Sequence, residues 1–91
     1  MRDETRIGKA GNLLSADLAD ETVIMNIRTG NYFGLDDIAT EIFQHLAEPM
    51  AVAELCRRLE TEFDAAPETI RNDVLPLLEQ MLEYGLIEVM P

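Results

Sequence analysis

Ninety-one residues, 47% apolar but only 5% aromatic, supply one small domain with a modest core and argue against a two-domain enzyme. Seven Lys and Arg against eighteen Asp and Glu leave a formal charge of -11, which repels a phosphate backbone and makes nucleic acid a poor partner. No apolar run approaches the roughly 20 residues of a membrane helix, the N-terminus has no signal-peptide core, and one cysteine cannot close an internal disulfide, so a cytoplasmic protein is expected.

Residues 1–11 hold Arg2, Arg6 and Lys9, two glycines and little that can pack, and read as a flexible N-terminal arm ahead of one domain over residues 12–91. Leu14, Ala16 and Leu18 then alternate along an extended segment, and the β-branched run Thr22 to Ile27 follows after a tight turn at Ala19-Asp20-Glu21. Arg28-Thr29-Gly30-Asn31 is a second turn signal, because Gly30 and Asn31 tolerate positive φ. With Tyr32 to Leu35 as the last strand, the pattern predicts a three-stranded antiparallel meander.

After Leu35 the apolar period changes from two to 3.6, with Ile38, Ala39, Ile42, Phe43 and Leu46 on one helical face and Asp36 or Asp37 as the cap. Pro49 ends that helix; Val52, Leu55, Cys56, Leu59 and Phe63 mark a second. A third runs from Pro67, well suited to a first helical position, to Tyr84, with Gly85 as its left-handed stop. Its apolar face is unusually wide: Ile70, Val74, Leu77 and Met81 form one stripe and Leu75, Leu78 and Leu82 the next. Pro76 lies inside it and predicts a kink between Asn72 and Pro76, or two shorter helices. Leu86 to Val89 closes the chain as a short strand. The fold class is therefore α+β: a three-stranded antiparallel sheet, three helices and a C-terminal strand, an outline that is winged-helix-like.

Chemistry is sparse. Cys56 falls on the apolar face of the second helix and His45 near the end of the first, so a nucleophile and a base are not brought together by the pattern. With no second Cys or His for zinc and no calcium loop, no catalytic residue, metal or cofactor is expected. The third helix carries Glu68, Asp73, Glu79 and Glu83 against Arg71, which disfavours a DNA-reading role. The Tyr32 to Leu35 strand, by contrast, is an edge without Pro, Lys or inward charge, open to a further strand. If the third helix lies beside it, the excess apolar stripe would floor a groove suited to peptide capture. A proline at Phe33 is expected to block such capture if that residue's donor faces outward.

Thr22 to Ile27, then Thr29-Gly30-Asn31-Tyr32-Phe33-Gly34-Leu35, then Ala39-Thr40-Glu41-Ile42-Phe43 resemble the strand, turn and first helix of PqqD-like proteins. Ala51 to Leu55, Asp73-Val74 and Leu82 to Ile87 continue the pattern, so the resemblance spans about Leu13 to Val89. It implies a recognition element for ribosomally made, post-translationally modified peptides (RiPPs). Such a protein is not an enzyme but a peptide chaperone in natural product biosynthesis, binding a precursor's leader and delivering it to a maturation enzyme. It also implies that the leader lies as an added strand in the cleft beside the third helix. Carried over, the strand side is Asn31, Tyr32, Phe33 and Gly34, and the helix side is Ile70, Asp73, Val74, Leu77 and Met81, with Arg28 as a candidate charged contact.

The Thr-Gly-Asn-Tyr turn most resembles the discrete leader-binding proteins of lasso-peptide biosynthesis. There the leader commonly offers Tyr, Pro and Leu to the cleft, the recipient is a transglutaminase-like leader peptidase, and an asparagine-synthetase-like cyclase follows. A chaperone of the pyrroloquinoline quinone precursor, an acidic winged-helix regulator and a weak edge-mediated dimer are the alternatives. Two departures stand out. Ala51 occupies a position where the family usually has a capping Ser or Thr, which should weaken the second helix by about 0.5 to 2 kcal/mol, and Pro76 interrupts the helix that walls the groove.

Overall fold

Period-two alternation and turn chemistry produce the expected meander in the computed structural model, which describes residues 1–18 and 21–91; the turn expected at Ala19 and Asp20 lies outside them. The elements in chain order are β1 (Arg6–Lys9), β2 (Leu13–Leu18), β3 (Glu21–Asn26), β4 (Tyr32–Leu35), α1 (Asp37–His45), β5 (Met50–Ala51), α2 (Val52–Phe63), α3 (Pro67–Glu83) and β6 (Ile87–Val89). One sheet has the order β2-β3-β4 and is antiparallel throughout, with Ile24 opposite Phe33 and Thr22 opposite Leu35. That register puts Ile24, Phe33 and Leu35 on one face, where Ile24 and Leu35 are buried. Tyr32 and Leu14 fall on the other face and stay exposed.

The N-terminal segment differs from the expected arm. Arg6–Lys9 is the central strand of a second antiparallel sheet, β5-β1-β6, pairing Ile7 with Met50 on one side and with Val89 on the other. Ile7 is fully buried in the core with Ile24, Ile42, Leu55, Leu59, Val74 and Leu86. A four-residue strand with one apolar side chain has no periodicity to read, and both of its partners come from distant parts of the chain. Two cations of this segment are engaged as well: Lys9 Nζ lies 4.2 Å from the Phe43 ring centroid, and the Arg6 guanidinium donates to the Pro49 carbonyl at 3.3 Å.

The same segment supports the start of α2. Ala51 is its N-cap and contributes no side-chain hydrogen bond. The orphan donors of the first turn are met by main chain instead: Val52 N donates to Thr5 O at 2.9 Å and Ala53 N to Asp3 O at 3.0 Å. Two main-chain acceptors thus stand in where Ala51 has no capping side chain. Asp36 caps α1 through Oδ1, which accepts from Ala39 N at 2.9 Å.

α3 runs unbroken from Pro67 through Pro76 to Glu83. Pro76 and Asn72 are both exposed, so the interrupted turn lies on the solvent side of α3. Gly85 follows with φ +75, the left-handed conformation that ends the helix and turns the chain toward β6.

Because Ile7 sits at the centre of the second sheet, Ile7→Ala is expected to lower unfolding free energy by about 2–5 kcal/mol. Urea unfolding measures this, and a change below about 0.5 kcal/mol would be that of a surface site and return the segment to an arm.

Candidate functional site

A β-hairpin builds the site's first wall. Asn26 organises its turn: Oδ1 accepts from Arg28 N at 3.0 Å and Thr29 N at 3.3 Å, while its carbonyl accepts from Gly30 N at 2.7 Å. Gly30 has φ +76, and Asn26 N donates to Asn31 O at 2.9 Å, so two residues of the returning strand oppose one, the arrangement of a glycine bulge. This bond fixes which way each backbone group of β4 points. Asn26 and Asn31 form a hydrogen-bonded pair, and alternation along an antiparallel ladder makes Ile24 with Phe33 and Thr22 with Leu35 hydrogen-bonded pairs as well. Tyr32 and Gly34 stand at the intervening positions, so their N–H and C=O groups point away from β3, to the open edge. Phe33 has its donor engaged by β3, and a proline there would break the hairpin rather than test the edge.

The second wall is the C-terminal half of α3. Between it and β4 runs a cleft of about 410 Å³, lined on the strand side by Tyr32, Phe33 and Gly34 and on the helix side by Leu77, Gln80 and Met81, with Tyr84 at one end. Phe33 and Tyr84 stack, with ring centroids 5.3 Å apart and planes at 26°. Asp36 is the one charged residue of the lining, and its carboxylate is occupied as the α1 cap. The cleft is thus an apolar trough beside a row of free main-chain donors and acceptors.

Of the residues expected at such a site, Tyr32, Phe33, Gly34, Leu77 and Met81 line the cleft. Ile70 and Val74 do not line it: both lie in the core that α3 shares with α2, as does Met81, which the cleft still reaches. The buried stripe of α3 runs Ile70, Val74, Leu78, Met81 rather than through Leu77, which lies one position round the helix and is freed for the cleft. Asp73 is exposed and outside the lining, and Asn31 belongs to the turn. Arg28 faces a different depression, on the other side of Tyr84. The expectation missed Gln80 and Tyr84, although Leu77, Gln80, Met81 and Tyr84 follow the i, i+3, i+4, i+7 spacing of one helical face.

The two side chains considered for nucleophilic chemistry are engaged elsewhere. Cys56 is 1% exposed in the core, and burial pushes its thiol up. His45 is not a solvated imidazole, since Nε2 contacts the Glu62 carboxylate across α1 and α2. No helix among the described residues is long and apolar enough to cross a membrane.

A sequence profile described as coenzyme PQQ synthesis protein D (PqqD) matches residues 21–87. The chain belongs to the PqqD family. Among solved structures it is similar to one described as "TbiB1 in Complex with the TbiA(beta) Leader Peptide", with a TM-score of 0.80 and 27% identity over 89% of this chain and 94% of that one. Comparison with curated proteins gives no match. The PqqD profile begins at β3 and ends at the first residue of β6, so β1 and β2 lie outside the matched stretch although β1 completes the core.

Burial and a raised thiol pKa predict that Cys56 is modified by a thiol reagent such as DTNB only as fast as the protein opens. Stoichiometric labelling within mixing time in native buffer would contradict its placement in the core.

Proposed function

We propose that this chain is a non-catalytic adaptor that captures the leader segment of a ribosomally made precursor peptide as an added strand on β4. The observation that carries the reading is the outward-facing main chain of Tyr32 and Gly34 at the rim of an apolar cleft. Strand addition draws affinity from hydrogen bonds of about 0.5–1.5 kcal/mol each, and the side-chain pockets beside the strand supply selectivity. Leu77, Met81 and Tyr84 offer those pockets to apolar and aromatic leader side chains. Membership of the PqqD family supports the reading, as does similarity to a protein solved with a leader peptide.

The finer assignment follows the same line. The Thr29-Gly30-Asn31-Tyr32 turn favours lasso-peptide biosynthesis, with a transglutaminase-like leader peptidase in the cytoplasm as recipient of the bound leader. Delivery of a pyrroloquinoline quinone precursor uses the same edge and differs in partner. A DNA-binding regulator is disfavoured by charge, because α3 would present Glu68, Asp73, Glu79 and Glu83 with Arg71 alone to offset them.

The test separates the edge from the fold. Gly34→Pro deletes an outward donor on an edge strand and leaves the β3 pairing in place, a position where proline is tolerated. Gly34→Ala keeps the donor, and its Cβ meets nothing nearer than Glu21 Oε2 at 3.9 Å. In anisotropy titrations of a labelled leader from a neighbouring precursor, with a scrambled leader as control, Gly34→Ala is expected to bind within about twofold of wild type. Gly34→Pro should lose at least about tenfold, or 1.4 kcal/mol. Equal binding by a folded Gly34→Pro variant would refute strand addition, and failure of wild type to bind would refute the adaptor itself.

A further inference from the structure

On the far side of α1 from the cleft, the structure brings together three metal-ligating side chains from two helices. Glu41 and His45 are four residues apart on α1 and so share a face, and Glu62 reaches them from the last turn of α2. One ligand atom from each, two carboxylate oxygens and an imidazole nitrogen, lies within 4.8 Å of the other two. His45 and Glu62 are already in contact, and their side chains are 18% and 35% exposed. A cleft of about 570 Å³ opens beside them, lined by Glu41 and Glu62 together with Asp17, Glu21 and Asp37, and no Lys or Arg lines it.

Among the residues lining this cleft the carboxylates have no Lys or Arg to offset them, and His45 is the basic side chain in contact with the pair. The cations closest in sequence to Glu62, Arg57 and Arg58, are committed to Glu54, which they hold below the usual carboxylate range. An imidazole among carboxylates is also what distinguishes the trio from the acidic surface around it. An acid cluster attracts any divalent ion, whereas a nitrogen donor with two oxygens selects a borderline ion over Mg²⁺ or Ca²⁺.

We propose that Glu41, His45 and Glu62 bind one divalent transition-metal ion of the zinc class, with its remaining coordination position open to water in the adjoining cleft. Zinc bonds of roughly 2.0–2.2 Å place ligand atoms about 3.4 Å apart, a spacing inside the 4.8 Å that encloses these three atoms. Two carboxylates balance the charge of the ion, and three protein ligands with one position left open match the ligand count of catalytic zinc sites. Bound there, the ion joins α1 to α2 and leaves the peptide cleft untouched. The site is independent of the peptide-binding reading and stands or falls separately.

His45 is the only histidine, so its imidazole resonances report on the site without assignment by mutation. The experiment adds ZnCl₂ to the untagged, chelator-treated full chain in a millimolar excess of Mg²⁺, following heat by calorimetry and the His45 ring protons by NMR. One equivalent of Zn²⁺ is expected to bind and shift both ring protons in step with occupancy, and His45→Ala and Glu41→Gln should each weaken binding at least about tenfold. Zn²⁺ uptake without movement of the ring protons, equal binding by the Glu41→Gln variant, or no stoichiometric uptake would overturn the proposal. Glu41→Gln preserves shape and hydrogen bonding, so the test holds even where His45→Ala fails to fold.

Discussion

The fold depends on a single short strand. β1 pairs with Met50–Ala51 between α1 and α2 on one side and with Ile87–Val89 after α3 on the other. It thereby ties the junction of two helices to the end of the third, with Ile7 filling the space beneath them. The residues just before it supply the main-chain carbonyls that Ala51 cannot replace at the start of α2, and Arg71 of α3 is held by Asp3 at 2.6 Å. These contacts anchor the helix that faces β4 across the cleft.

Within the cleft the division of labour is between backbone and side chain. The glycine bulge at Gly30 rotates the register of the hairpin so that Tyr32 and Gly34, rather than Phe33 and Leu35, offer their amides to the edge. Phe33 and Leu35 serve the core in the same stretch, and the stacked Phe33 and Tyr84 rings link the edge to the helix end. An edge so short and so well supported is already ordered, so in the proposed complex the ordering cost falls on the incoming peptide. Its exposed apolar rim is otherwise a liability that natural sheets usually blunt. The proposed peptide strand would cover it.

Much of this was legible in the sequence. The meander, the three helices, the Asp36 cap and the Gly30 and Gly85 turns follow from local rules that the chain obeys, and the resemblance to the PqqD family rests on the same residues. β1 was not legible because four residues with one apolar side chain have no period, and Met50–Ala51, two residues long, has none either. The width of the α3 stripe was visible, but neighbouring stripes on one helix differ by a rotation that only packing against α2 decides. That rotation buries Ile70 and Val74 and releases Leu77. Glu62 was invisible for a similar reason: its meeting with Glu41 and His45 crosses two helices.

The central claim is that a peptide becomes the next strand of the β2-β3-β4 sheet, and amide hydrogen exchange on the leader-saturated protein tests it residue by residue. The account predicts strong new protection at the amides of Tyr32 and Gly34, while Phe33 and Leu35, already bonded to β3, change little. Saturable leader binding with Tyr32 and Gly34 still exchanging at their free rates would contradict it.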